Sequence, residues 1–294
     1  MMGCTLCPRA CGADRSRGTG RCGVGEAIKV ARAAPHFWEE PCISGERGSG
    51  AVFFSGCPLG CVYCQNNEIS SGLLGREITP RRLSEIFLEL CAQGVHNINL
   101  VTPCHFAPGV IEAIEIAKGA GLAIPIVCNT GGYESVETLR LFKGHVDIYL
   151  PDYKYRSAEL AMRYSGAPDY PQMAEKALCE MFSLVGSPVF GEDGMMVRGM
   201  IVRHLVLPGC AEDSKAVIRF LHETFGEDIF ISIMNQYTPS PRAARIDRLG
   251  GALSAEEYAE VVDFALSIGV ENGFIQEEDT VGESFIPPFD NTGV

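Results

Sequence analysis

From residue 51 onward, two hydrophobic patterns take turns along the chain. Short β-branched apolar runs are followed by stretches whose apolar residues recur at helical spacing. The first strand-like run, Ala-Val-Phe-Phe, ends at Ser55-Gly56. Thr79-Pro80 then opens a helix as an N-cap with proline at the first helical position. Its apolar face is Leu83, Ile86, Phe87, Leu90 and Cys91. The pattern predicts strands over 97–102, 124–129 and 146–150, with helices near 109–118 and 135–142. The stretch 157–185 reads as one or two helices, and 186–197 as a Gly-rich loop. A strand over 199–207 precedes a helix with face residues Val217, Phe220, Leu221, Thr224 and Phe225, which Gly226 ends. A strand over 229–234 follows. The last helix starts with a capping box, Ser254 to Glu257, and is expected to bury Tyr258, Val261, Val262, Ala265 and Leu266.

Strand–helix alternation at this period means βαβ units and a parallel sheet. About six units follow residue 50, too few for a closed eightfold barrel, so the α/β fold expected is a partial, open (βα)6 TIM-like barrel. In such folds chemistry gathers at the C-terminal ends of the strands. Those ends carry Thr102-Pro103-Cys104-His105, Asn129-Thr130-Gly131-Gly132, Asp152 and Lys154, Pro208-Gly209-Cys210 preceded by Arg203 and His204, and Asn235-Gln236-Tyr237.

The first strand end carries the densest chemistry. Cys57, Cys61 and Cys64 stand in a C-x3-C-x2-C spacing directly after Ser55-Gly56. The loop is short enough for all three sulfurs to converge on one object. Three thiolates suit a [4Fe–4S] cluster with one iron left open. A structural zinc site wants four closed ligands, and three close thiols cannot all pair as disulfides. With Tyr63 before the last cysteine and Gly60 in the turn, the loop resembles the radical S-adenosylmethionine (SAM) superfamily and its C-x3-C-x-aromatic-C signature. That resemblance implies that SAM chelates the open iron and is cleaved reductively to methionine and a 5′-deoxyadenosyl radical that abstracts hydrogen.

A second cysteine group, Cys4, Cys7, Cys11 and Cys22, lies among glycines and arginines in the first 22 residues. So short a segment cannot bury a core of its own, and four thiols predict a metal: a second [4Fe–4S] cluster or a zinc ion. The rival reading is a loose arm with free thiols. Cys42 is a further candidate ligand or a buried small residue. The expected division is a Cys-rich segment over 1–50, the barrel over 51–278 and a tail over 279–294, whose Phe285, Ile286 and Phe289 fold back over the barrel mouth or stay disordered.

Composition narrows the setting. Of 294 residues, 46% are hydrophobic and 21% charged, ordinary for a globular protein. No apolar run is long enough for a transmembrane helix, and the N-terminus has no apolar core of a signal peptide. Thirteen cysteines without a secretory signal point to metal chemistry in a cytoplasmic protein, and an open cluster to an anaerobic setting. A formal net charge of −13 argues against nucleic-acid binding.

Over nearly its whole length the chain also resembles the pyruvate formate-lyase activating enzyme group, most of all homologues with an N-terminal cysteine segment. The carrying stretches are Cys-Thr-Leu-Cys-Pro-Arg-Ala-Cys-Gly, Glu39-Glu-Pro-Cys-Ile-Ser-Gly45, Phe53-Phe-Ser-Gly-Cys57, Asn97-Ile-Asn-Leu-Val-Thr-Pro103, Tyr149-Leu-Pro-Asp-Tyr-Lys154 and Leu205-Val-Leu-Pro-Gly209. The resemblance implies that Asp152 and Lys154 contact SAM or an adjacent cation. It aligns Asn129-Thr130 with an Asp-Thr pair, and Tyr237 with a SAM-contacting histidine. Thr102-Pro103-Cys104-His105 replaces a Gly-Gly-Glu, which leaves Thr102 for the SAM amino group. It further implies a flavodoxin or ferredoxin as electron donor and a glycyl radical enzyme as target. A small-molecule substrate is the alternative within the class. A non-catalytic iron–sulfur electron carrier and a zinc-binding interaction module are the alternatives outside it. Cys104, Cys128 and Cys210 are expected to pack as small apolar residues, with Cys104 the one placed to exchange a hydrogen atom. His105 and Arg203 are weighed as polar packing against direct roles, Arg203 for a substrate carboxylate.

Overall fold

The computed structural model of the chain describes residues 3–276 and 286–294. In chain order the strands are β1 (Ile28–His36), β2 (Ser49–Phe54), β3 (Arg76–Ile78), β4 (Ile98–Val101), β5 (Ile126–Thr130), β6 (Ile148–Pro151), β7 (Val189–Phe190), β8 (Met196–Leu205), β9 (Phe230–Met234) and β10 (Gly273–Ile275). The helices are α1 (Pro41–Ser44), α2 (Asn67–Ser70), α3 (Pro80–Ala92), α4 (Ala107–Gly119), α5 (Val136–Leu141), α6 (Ala158–Ser165), α7 (Tyr170–Val185), α8 (Ala211–Phe225) and α9 (Ala255–Ser267).

The sheet order is β10-β9-β8-β6-β5-β4-β2-β1-β3, with β7 paired to β8. From β2 to β10 along this path every neighbouring pair is parallel. Six βα units from β2 to α9 build the partial, open (βα)6 barrel that the alternation predicts. Caps fall where the sequence sets them: Thr79 accepts from the Arg82 peptide N–H, and Ser254 from that of Glu257. Among the described residues, no helix is long and apolar enough to cross a membrane.

Two expectations change, and residues 1–50, expected as a Cys-rich segment, also contribute a strand to the sheet. β1 pairs antiparallel with β2 over Val30–His36 and with β3 over Ile28–Val30, extending the barrel sheet by one edge. The stretch 186–197 is a hairpin, because Gly194, with φ of +76°, turns β7 onto the start of β8. On α8 and α9 the buried stripe is narrower than the sequence suggested. Thr224 and Leu266 face solvent, while Val217, Ile218, Leu221, Tyr258, Val261 and Ala265 are buried.

Side-chain alternation along the strands separates two cores. Ile98, Leu100, Ile126, Cys128, Tyr149, Met200 and Val202 join the large core shared with the helices. Val127, Ile148, Leu150 and Ile201 point into the barrel, where Cys42 and Ile43 of α1 pack on them. Residues 37–48 thus close the barrel from the N-terminal ends of its strands. Asn97 secures this closure by accepting from the Ser49 hydroxyl and donating to the Ile43 carbonyl. Cys42 is a packed small residue here. Of the tail, 286–294 lies against β1: the Asn291 N–H donates to Ala31, and the Ala33 N–H to Thr292. Phe285 and the rest of 279–285 fall outside the described residues.

Candidate active site

The cluster loop leaves β2 through two glycines with positive φ, Gly56 and Gly60. A Cβ on Gly56 would lie 2.6 Å from the Cys22 carbonyl oxygen, so this position tolerates only glycine. The Cys57 thiol receives backbone N–H groups from Leu59 and Gly60, and the Cys64 thiol one from Asn66. The Ser165 hydroxyl donates to the Cys61 sulfur at 2.9 Å. Burial pushes the Cys57 thiol up to about 11 and the Cys64 thiol up to about 12. Hydrogen bonds aimed at sulfur suit thiolate ligands of an iron–sulfur centre, and binding metal is what would deprotonate such buried thiols.

Arg9 holds this loop from outside. Its guanidinium donates to the carbonyls of Pro58, Leu59, Ser165 and Gly166, fastening the N-terminal segment and the end of α6 to the cluster loop. Arg15 donates to the carbonyls of Gly25 and His105. His105 spends Nε2 on the Ser55 carbonyl at 2.9 Å, and burial lowers it to about 4, leaving a neutral ring behind the strand end.

All three cysteines line a cavity of about 220 Å³ at the C-terminal ends of the strands. Thr102, Asn129, Thr130, Asp152 and Lys154 line it too, together with Tyr63, Glu39, Arg203, Met234 and Gln236. Thr102 has φ of +61°, an uncommon state for a β-branched residue, held by its N–H bond to the Asn129 carbonyl at 2.8 Å. Tyr237 does not reach the cavity. Its ring packs on Tyr63 and its hydroxyl donates to the Leu249 carbonyl at 2.6 Å, while Gln236 takes the inward position. Cys104 sits behind the wall, its sulfur 3.9 Å from that of Cys128. Cys210 lies near Tyr164, outside that lining.

Beneath the cavity a buried ionic network crosses the barrel. Arg203 donates to Asp152 at 3.0 Å, Glu39 at 2.9 Å and Asn129 at 2.7 Å. Glu39 also accepts from Asn99 and Asn129. Lys154 donates to the other Asp152 oxygen at 2.6 Å. Burial would raise the Asp152 carboxyl, but Lys154 and Arg203 outweigh it and hold that group below the usual carboxylate range. Arg203 is therefore committed to protein carboxylates, which counts against its binding a substrate carboxylate. Glu40, fully buried beside Arg203 and Glu39, is pushed upward by burial, and its Oε2 has no partner. Sequence reasoning missed the Glu39–Glu40 pair as site residues, since adjacent acids ordinarily read as a solvated turn.

The N-terminal cysteines lie near one another without closing on a single point. Cys7 receives the Arg9 backbone N–H, and Cys11 those of Arg21 and Ala13. The sulfurs of Cys22 and Cys11 both face Gly20, where an added Cβ would lie 3.3 and 3.6 Å from them. Among the described residues, no three Cys, His, Asp or Glu side chains come close enough together to hold a single metal ion.

Residues 51–177 match the radical SAM superfamily. An uncharacterised protein of Methanocaldococcus jannaschii is 24% identical over 275 residues, covering 89% of this chain and 74% of that protein. Among solved structures, methylornithine synthase (PylB) is similar with a TM-score of 0.50 at 15% identity, over 71% of this chain and 59% of that one. SuiB of Streptococcus suis, bound to its precursor peptide SuiA, is similar with a TM-score of 0.50 at 12% identity, over 76% and 47%. At these identities the likeness is one of fold, and this chain spans less than two thirds of either solved chain.

Proposed function

We propose that this chain, which carries a radical SAM domain over residues 51–177, is an enzyme that reductively cleaves SAM and uses the resulting 5′-deoxyadenosyl radical to abstract hydrogen. The observation that carries the reading is the convergence of Cys57, Cys61 and Cys64 with Asn129, Thr130, Asp152 and Lys154 on one cavity at the strand ends. Cys57, Cys61 and Cys64 would hold a [4Fe–4S] cluster, which supplies the electron that breaks a carbon–sulfur bond of SAM. Ser165 and the loop amides orient those thiolates. Asp152, kept ionised by Lys154 and Arg203, offers a fixed negative group for the SAM amino end or a cation. Asn129 and Thr130 line the same wall, and Thr102 presents its strained turn there. The barrel closure below, with Ile286 and Pro287 in the lining, would limit the access of water to a radical that would attack any exposed C–H bond.

In this reading Cys4, Cys7, Cys11 and Cys22 would be drawn together by a second metal, a further [4Fe–4S] cluster or a zinc ion, and iron, sulfide and zinc analysis of the purified protein separates the two. For the target, the stretches shared with the pyruvate formate-lyase activating enzyme group support activation of a glycyl radical enzyme. The tail residues Ile286 and Pro287 at the mouth favour the second reading, a small-molecule substrate, since a protein loop would have to displace them.

The test is 5′-deoxyadenosine production by anaerobically reconstituted protein with dithionite and SAM. Wild type should release it and Cys61→Ala should not. If iron and sulfide are present, SAM leaves the EPR signal unchanged and neither protein releases 5′-deoxyadenosine, the chain is an electron carrier instead.

A further inference from the structure

A second hollow, of about 260 Å³, opens on the other side of the cluster loop, where the N-terminal segment meets it. Cys22 and Cys57 both belong to its lining, and the Cys57 N–H donates to the Cys22 carbonyl at 3.1 Å. Here the loop that carries Cys57 borders an opening that none of the described tail residues 286–294 lines, whereas Ile286 and Pro287 line the main cavity.

The charge around this opening runs against that of the whole molecule. The formal net charge is −13. Yet the first 23 residues carry Arg9, Arg15, Arg17 and Arg21 against one acid, Asp14. Arg21 and Arg163 line the hollow itself, and both are exposed. The Ser240 hydroxyl donates to the Val62 carbonyl at 2.8 Å, which brings residues 241–250 alongside. That segment adds exposed Arg242, Arg245 and Arg248 against Asp247, itself 3.8 Å from Arg163. Basic groups in an acidic chain thus concentrate beside a cluster ligand.

We infer that this face docks a small, acidic, low-potential one-electron carrier protein, an inference that rests on the radical SAM reading above. An acidic carrier would be repelled by most of the surface and drawn to this rim. One electron passes from the carrier, which is oxidised, to the cluster held by Cys57, Cys61 and Cys64, which is reduced, and no atom is transferred.

The test measures binding apart from chemistry. Oxidised flavodoxin, as the acidic probe, is titrated against the full chain by anisotropy. Binding should weaken steadily between about 0.02 and 0.3 M salt. Combined Arg21→Glu, Arg163→Glu and Arg245→Glu substitutions should weaken it at least roughly tenfold. Arg81→Glu, an exposed arginine on α3, should leave it unchanged. Flavodoxin-driven 5′-deoxyadenosine formation should fall with the binding, while the dithionite-driven rate stays within about twofold. Should the Glu variant fold poorly, the Arg→Gln set should still weaken binding several-fold. Equal affinity in wild type and the Gln or Glu sets, or equal loss in Arg81→Glu, overturns the assignment. Absence of 5′-deoxyadenosine with dithionite would sink the radical SAM reading instead, and the titration would still decide the face.

Discussion

Glu134 sits on the loop after β5, fully buried, with hydrogen bonds to Cys104 and Thr130. Burial raises its carboxyl from the usual 4.5 to about 8, although those two contacts pull the other way. The sign of the linkage follows. Below 4.5 the group is neutral in both states and its burial costs little. As pH rises toward 8 only the unfolded chain ionises freely, so stability falls across that window. Glu134→Gln should remove this fall and, near pH 8, stabilise the fold by on the order of a few kcal/mol. Melting temperatures of both proteins between pH 5 and pH 8 check it, and parallel curves would refute it. Glu39 predicts the opposite direction. Glu39→Ala leaves Arg203 with one carboxylate fewer in the barrel interior, and breaking such a buried pair should cost about 3 kcal/mol. A urea midpoint unmoved by that substitution would mean Arg203 is already satisfied by Asp152 and Asn129.

At the level of single loops and strands, Gly56 joins two segments that the sequence keeps apart. With φ of +85° and the Cys22 oxygen 2.6 Å from where a Cβ would sit, Gly56→Ala should push the N-terminal segment off the cluster loop. The expected result is a loss of roughly 2 kcal/mol or more, with less iron retained per chain after reconstitution. The six βα units and their caps were legible in the sequence because each strand is β-branched and each helix is amphipathic. β1 was not: its Ala-rich run with Arg32 and Pro35 lacks the β-branched alternation that marks the other strands. Of the predicted cavity residues, Thr102, Asn129, Thr130, Asp152 and Lys154 line the wall, because a residue at a parallel strand end faces the mouth whatever the loop does next. Tyr237 misses by one position. Ser232 and Met234 point inward, so Gln236 keeps the inward parity and Tyr237 turns away, and a one-residue slip in period 2 changes the face. Glu39 was illegible for another reason, since its partner Arg203 lies 164 residues further along and no local pattern links them.

Taken as one body, the molecule depends on its last residues to finish the barrel edge. β3 covers only one end of β1, so Ala31 and Ala33 would otherwise present unpaired backbone at an open edge. Residues 286–294 take those groups. Arg32 adds bonds to the Pro288 carbonyl at 3.0 Å and the Asp290 carboxylate at 3.1 Å. Phe289 packs edge-on against Phe53 at 5.5 Å, and Val294 against the large core. Ile286 and Pro287, at the start of the same segment, line the cavity that Phe53 also lines. Deleting 286–294 therefore removes an edge cover and a piece of the cavity wall together. Burial of one aromatic side chain and two edge hydrogen bonds should amount to about 3 kcal/mol, which for a chain of this size lowers the melting temperature by about 6–12 °C. If the segment also completes the SAM cavity, the truncated protein should lose most of the thermal stabilisation that a fixed excess of SAM gives the reconstituted wild type, since a ligand's stabilisation grows with the logarithm of its concentration over Kd. A lower melting temperature with the SAM increment intact would confine the tail to bracing β1. Loss of both would make it part of the binding site, and it would then be the segment that a protein substrate has to displace.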